Sequence, residues 1–311
     1  MSSVHVEKLT KHYGAVHALD GLDLDVAPGT VYGFLGPNGA GKTTTLRILT
    51  GLARPNSGSA RVAGVDVLRA GHALPPKIGH LPEEPAFYTW MTPLEFLDYL
   101  GRLYGLSTSA RRTRTRELLA LVHMEEVSRR RIGGFSRGMR QRLGVAAALI
   151  HHPEVLFLDE PASALDPAGR KEVLDLIENL RGQATVVMST HILADVERVC
   201  DVVGIIAKGK MIVQSGREEL LERYAVPVFE VESNDRTELA RWGEGLKRFP
   251  WVAAVTPQNG SLRITVRDVK TAKRLLLAGA VGAGLVLNRY EEIRPSLEDV
   301  FLQLVGSESI S

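Results

Sequence analysis

Residues 30–44 read TVYGFLGPNGAGKTT, an apolar run that passes without a break into a glycine-rich loop ending in Lys-Thr. A short apolar run bounded by turn signals is the pattern of a buried strand. Gly36, Gly41, Lys42 and Thr43 occupy the fixed positions of G-x-x-x-x-G-K-[ST], with Pro37, Asn38, Gly39 and Ala40 between them and Thr44 following. In such a loop the backbone N–H groups turn inward around phosphates, and the N-terminus of the next helix adds favourable dipole. The Lys42 ammonium reaches the terminal phosphates as a mobile point charge, and the Thr43 hydroxyl suits a magnesium ion. A glycine turn before any helix would share this composition. The position directly after an apolar strand is what the phosphate-binding mechanics require, so a nucleotide with Mg2+ is the expected ligand.

Outward from this loop, strands are read at about Val4 to Leu9 and through the alternating LDGLDLDV at 19–26, and LRILTGL at 46–52 continues the loop as a helix. From about Thr92 to Ile150 the pattern is mostly helical, including EFLDYLGRLYGL and RELLALV. Strands return at VLFLD and TVVMST, separated by the helical GRKEVLDLIENL. Alternation of strand and helix at this spacing predicts an α/β fold with a mostly parallel, covered sheet. After about Arg217 the order becomes strand VFEVE, helix TELARWGEGLKRF, strands VAAVT and LRITV, helix VKTAKRLLLA and a strand near GLVLNRY. That is βαββαβ, a small ferredoxin-like α+β module, with SLEDVFLQLV closing the chain as a helix. The expected division is a nucleotide-binding domain at 1–222, with a helical lobe at about 83–150, and an accessory domain at 223–311.

VLFLDEP at Val155 to Pro161 places two carboxylates at the end of a buried strand. Asp159 can hold magnesium through water, and Glu160 can polarise an attacking water. FSRGMRQRLGVAAALI begins at Phe135, and here the chain resembles the ATPase subunits of ABC transporters. Ser136 and Gly138 stand at the second and fourth positions of that family's LSGGQ signature, where Phe135, Arg137 and Met139 replace Leu, Gly and Gln. Read without the resemblance, Ser136 is an N-cap opening an amphipathic helix. The rest of the family's set follows in order. Ser163-Ala164-Leu165-Asp166 resembles the D-loop, whose aspartate crosses a dimer interface. Ser189-Thr190-His191 resembles the H-loop, with His191 against the γ-phosphate, and Tyr13 matches the aromatic that stacks on adenine. Where the family has glutamine, after the apolar IGHLP, this chain has Glu83, whose oxygen can still face magnesium or water. Leu81 to Glu84 (LPEE), Ser136 to Arg142 and SLEDVF at Ser296 to Phe301 resemble the drug- and antibiotic-export members whose membrane subunit is a separate chain.

The resemblance implies a P-loop ABC-type ATPase with an antiparallel β subdomain and a helical lobe. It further implies composite sites, in which ATP at Lys42 and Thr43 of one copy is completed by Ser136 and Gly138 of a second, with a homodimer as the expected assembly. Glu160 and His191 are then the catalytic pair, Thr43, Asp159 and Glu83 the metal-facing residues, and Ser136, Gly138 and Asp166 interface residues. The partners implied are a second ATPase subunit and a separate transmembrane permease gripped by the lobe around Glu83 to Leu106, with export as the direction.

Bulk properties fit. Net charge is +2, one cysteine (Cys200) excludes an internal disulfide framework, and a reducing compartment is expected. MSSVHVEKLT has no apolar signal region, and the longest apolar run, Leu275 to Leu287, is well short of the roughly 20 residues of a spanning helix. The chain is therefore expected to be cytoplasmic and peripheral on the inner face of the cell membrane. The basic stretches at Arg111 to Glu117 and Arg129 to Arg131 read either as solvated helix faces or as contacts with anionic headgroups at the membrane surface. A soluble ABC-type ATPase serving a non-transport process is the alternative. The DNA-acting members carry a long coiled coil between P-loop and signature; the interval here lacks sustained heptads, so no nucleic-acid partner is expected. For the accessory domain alone, a ligand-sensing or purely structural role stays open. Because glutamine keeps the length of Glu83 and an oxygen acceptor, Glu83→Gln is expected to retain most hydrolysis. Glu83→Ala is expected to lose about tenfold, the worth of one charge-assisted contact; steady-state phosphate release with magnesium measures both.

Overall fold

The computed structural model describes residues 2–163, 165–223, 227–258, 260–293, 296–298, 300, 301 and 304. The chain forms two compact units, Met1–Arg217 and Glu218–Ser311. The division falls before the 222 expected from sequence because the Arg217 backbone N–H donates to the Asp201 carbonyl at 2.9 Å and its guanidinium reaches the Glu197 carbonyl, so this residue belongs with the first unit.

In chain order the first unit begins with β1 (Val4–Tyr13), β2 (Val16–Val26), β3 (Val31–Leu35), α1 (Lys42–Leu49), β4 (Ser57–Val62), β5 (Val65–Asp66) and β6 (Ile78–Leu81). The helical lobe follows as α2 (Pro93–Leu103), α3 (Thr108–Leu121) and α4 (Arg137–Ala148). Then come β7 (Val155–Asp159), α5 (Pro167–Asn179), β8 (Thr185–Thr190), α6 (Leu193–Val199), β9 (Val202–Ala207), β10 (Lys210–Gly216) and, across the division, α7 (Arg217–Arg223).

Two sheets result. The antiparallel one has the order β2-β1-β4-β5; the six-stranded one has the order β10-β9-β3-β8-β7-β6, parallel except for β10. Every residue of β3, β7 and β8 is buried, which is why these strands read as continuous apolar runs rather than alternations. Leu22, Leu24 and Leu9 of the antiparallel sheet share one core with Phe34, Leu46 and Phe157. The lobe's helices start on side-chain caps: Thr92 and Glu95 form a reciprocal capping box for α2, and Ser107 accepts from the Ala110 N–H for α3.

The second unit contains β11 (Val228–Ser233), α8 (Arg236–Leu246), β12 (Val252–Gln258), β13 (Ser261–Val266), α9 (Val269–Gly282) and β14 (Leu287–Ile293). The sheet order β12-β13-β11-β14, antiparallel throughout, is the ferredoxin-like split βαβ arrangement. The apolar run 275–287 is divided between the end of α9 and the start of β14. Helix α9 runs past the expected 278 and stops where Gly284 takes φ +74°, with the Leu285 N–H donating to the Ala280 carbonyl at 3.1 Å, a Schellman-type close. The expected C-terminal helix at 296–305 lies partly outside the described residues. This unit has its own core of Phe229, Val231, Leu239, Leu262, Ile264 and Leu276. Phe229→Ala is expected to destabilise it by about 3–5 kcal/mol, seen as a lowered calorimetric transition. ATP affinity should stay unchanged, because all phosphate-binding residues named above lie in the other unit.

Candidate functional site

Strand β3 delivers the chain to the loop at its carboxyl end, and β8 and β7 end beside it, so three buried strands aim their last residues at one place. The loop can pass there only as glycine. A Cβ on Gly36 would lie 2.4 Å from the Ile206 carbonyl oxygen, and Gly41, at φ +111°, would bring one within 2.6 Å of the Ala18 carbonyl oxygen. Lys42 opens α1 and is buried; its ammonium donates to the Gly36 carbonyl at 2.6 Å and the Pro37 carbonyl at 3.3 Å and stands 3.7 Å from the Glu160 carboxylate. Burial lowers the Lys42 pKa, opposed by the charges of Glu160, Asp159 and Glu83.

At the end of β7 the Thr43 hydroxyl donates to Asp159 Oδ1 at 3.2 Å, and the same oxygen accepts from the Ser189 hydroxyl of β8. Glu160 follows in the left-handed region at φ +49°, a conformation that costs a side-chain-bearing residue energy and persists only when its surroundings hold it. They do: its N–H donates to the Ser189 carbonyl at 3.0 Å, and its own carbonyl accepts from the Ser163 hydroxyl at 3.0 Å. The turn directs the carboxylate into the cleft, where His191 Nδ1 lies 3.0 Å from each of its oxygens. A carboxylate only accepts, so that nitrogen carries the proton and donates.

These groups face a cleft of 740 Å³ lined by Tyr13, Asn38, Gly39, Ala40, Gly41, Lys42, Thr43, Thr44, Glu83, Glu160 and His191 among the residues singled out from sequence. Tyr13 is half exposed at the cleft's edge, with the Lys11 ammonium 4.8 Å from its ring centroid. Gly36 and Pro37 shape the loop behind the lining, and Asp159 sits buried behind Thr43. Ser136, Gly138 and Asp166 do not line this cleft. Ser136 caps α4, its hydroxyl accepting from the Met139 N–H at 3.2 Å; Asp166 is exposed at the start of α5. A Cβ on Gly138 would come 3.8 Å from Leu165, so signature and D-loop segments are neighbours. The cleft also takes in Val16, Ala18, Glu84, Arg137 and Ser163, which the sequence reading did not single out as site residues. Glu84, Arg137 and Ser163 each adjoin a residue that was singled out or stand in its motif. Val16 and Ala18 carry no chemical signal, and only the β1–β2 pairing, Tyr13 opposite Val16, brings them in.

Thr43, Asp159 and Glu83 offer hard oxygen donors on one side of the loop, which fits a magnesium ion shared with phosphate oxygens. Among the described residues there is no cluster of three or more His, Cys, Asp or Glu able to hold a metal alone.

Comparison with known proteins gives a consistent result. The ABC transporter family model matches residues 19–163, and that of the DrrA1-3-like ATP-binding protein C-terminal domain matches 216–305. An uncharacterized ABC transporter ATP-binding protein, YxlF of Bacillus subtilis, is 41% identical over 96% of this chain and 98% of its own length. The daunorubicin resistance ATP-binding protein DrrA3 of Streptomyces coeruleorubidus is 36% identical over 99% and 97%. A solved ATP-binding subunit of an ABC transporter superposes with a TM-score of 0.66 at 28% identity, covering 72% of this chain and 93% of that one.

Glu160→Gln preserves size and an acceptor for the His191 N–H but removes the basic oxygen, so hydrolysis is expected to fall at least about 100-fold while ATP affinity, measured by equilibrium titration, persists.

Proposed function

The chain belongs to the ATP-binding subunits of the ABC transporter family, which are ATPases, and from that premise we propose that two copies close around two ATP molecules to drive a separate transmembrane subunit, in the direction of export. The observation that carries this reading is the division of the phosphate-binding set: Lys42, Thr43, Glu160 and His191 converge in one cleft, while Ser136 and Gly138 stand outside it at the start of α4. Of the signature only Arg137 lines the cleft of its own copy; Ser136 and Gly138, outside it, are available to complete the cleft of a second copy, with Asp166 at the shared surface.

In this reading Lys42 and the loop N–H groups hold the phosphates, and Tyr13 receives the adenine ring. Thr43 and Asp159, with Glu83 nearby, would hold magnesium, which neutralises phosphate charge when bound. Glu160 orients and deprotonates the attacking water, and His191 steadies Glu160 through its Nδ1–H. Closure with ATP and release after hydrolysis form a two-state switch that transfers work to the membrane subunit. One further point supports transport over a soluble role: the C-terminal domain is of the type found in a daunorubicin resistance protein. No helix among the described residues is long and apolar enough to cross a membrane. The cytoplasmic face of the membrane is the location that this partnership requires.

Composite sites can be tested by mixing two inactive variants. Lys42→Ala spoils one half of each site and Ser136→Ala the other, so a mixed dimer regains one intact site of two. With random pairing the mixture should recover roughly a quarter of the unmutated rate. A mixture no more active than its components would rule out sites shared between copies.

A further inference from the structure

The second unit contains a cavity of its own, 520 Å³, between the C-terminal part of α8 with its following turn and one face of α9. This is the size range of small-molecule sites. Its origin lies in residue size. Beyond Leu275, α9 presents Ala278 and Gly279 to the cavity, with Ala283 just past its end, and these small side chains leave open the space that leucines would fill. The opposite wall is aromatic: Trp242, Phe249 and Trp251, the last two stacked at 5.7 Å and 26°.

The polar groups at this cavity are unequal. Arg241 is committed to Glu238 at 2.6 Å, and the neighbouring Lys247 to Glu244 at 2.6 Å. Arg248 differs. Its Nε donates to the Gly245 carbonyl at 2.9 Å and its guanidinium lies 5.8 Å from the Phe249 ring centroid, but no carboxylate among the described residues pairs with it. The Trp242 indole N–H, 3.5 Å from where a Gly279 Cβ would stand, likewise has no acceptor among the described residues. Flat apolar walls therefore carry one uncompensated cation and one free N–H donor.

We propose that this cavity binds a small planar aromatic acid, its rings held against Trp242, Phe249 and Trp251 and its anionic group received by Arg248 and the Trp242 N–H. Aromatic stacking supplies the contact area. The unpaired guanidinium selects an anion over a neutral or cationic ring. Nothing in the nucleotide cleft's chemistry takes part, so the site gives the accessory unit a ligand distinct from ATP.

The test uses the full chain and 2-naphthoate as probe, followed by isothermal titration. One saturable site per chain is expected, unaffected by ATP. Naphthalene-2-carboxamide, which lacks the charge, and cyclohexanecarboxylate, which lacks the flat ring, should each bind about tenfold more weakly or worse. Gly279→Leu should fill the cavity and reduce 2-naphthoate affinity at least about tenfold, and Arg248→Gln about tenfold, with ATP binding and circular dichroism unchanged in both. Arg248→Gln lies at the rim and keeps the test decisive if Gly279→Leu does not fold. No saturation by roughly 1 mM, displacement of the probe by ATP, or unmutated affinity in Arg248→Gln would overturn the proposal.

Discussion

Burying the Lys42 ammonium beside the Glu160 carboxylate is the constraint around which the first unit is built. An unpaired buried charge is costly, and removing one partner leaves the other uncompensated. Here the ammonium is held by two loop carbonyls as well as by Glu160. The carbonyls can reach it only because Gly36 packs without a Cβ under Ile206, a β9 residue, which fixes β9 beside β3. Glu160 can reach it only from the end of β7, by a left-handed turn tied to Ser189 of β8. The order β9-β3-β8-β7 is thus the scaffold that one cation, one carboxylate and their holders demand, and the apolar burial of those strands supplies its rigidity.

That same logic separates what sequence reveals from what it conceals. The loop from Gly36 to Thr44 is legible because backbone approach and helix N-terminus impose fixed spacing within one continuous segment. Strands β3, β7 and β8 are legible because burial on both faces writes an unbroken apolar run. The entry of Val16 and Ala18 into the cleft is not legible, since it depends on hairpin register between segments with no chemical mark. Ser189 was visible only as a neighbour of His191; its hydroxyl and carbonyl hold Asp159 and Glu160, and that role exists only once β7 and β8 pair. In the second unit the βαββαβ order was readable from periodicity, whereas the end of α9 was misplaced because glycines inside an apolar run look like a break. The break comes only at Gly284, where the backbone needs a positive φ.

The two units solve the packing problem in opposite ways. In the first, small residues allow backbone to approach backbone, and the space left over is lined by charge. In the second, Ala278 and Gly279 leave space that is lined by aromatic rings, and the helices still close over the sheet because Ala272, Leu276 and Ala280, on an adjoining stripe of α9, are fully buried. A helix can spare one face for a cavity when a separate stripe supplies its burial.

The altered signature follows from the same division of labour along a helix. Phe135 is almost fully buried, as the apolar first position requires. Ser136 takes the cap position, where one hydroxyl can accept from the Met139 N–H while the remaining N–H groups of the first turn face outward for an anion. Gly138 keeps that turn open, with only Leu165 approaching it. Arg137 stands between these two, exposed, and its side chain reaches the cleft of its own copy rather than the α4 interior. Replacing a glycine there therefore leaves the capped first turn intact and adds a cation beside the nucleotide cleft. Of the positions that changed, Phe135 is buried and Arg137 is exposed at the cleft, and the two that remained are those whose size and hydroxyl the turn itself uses.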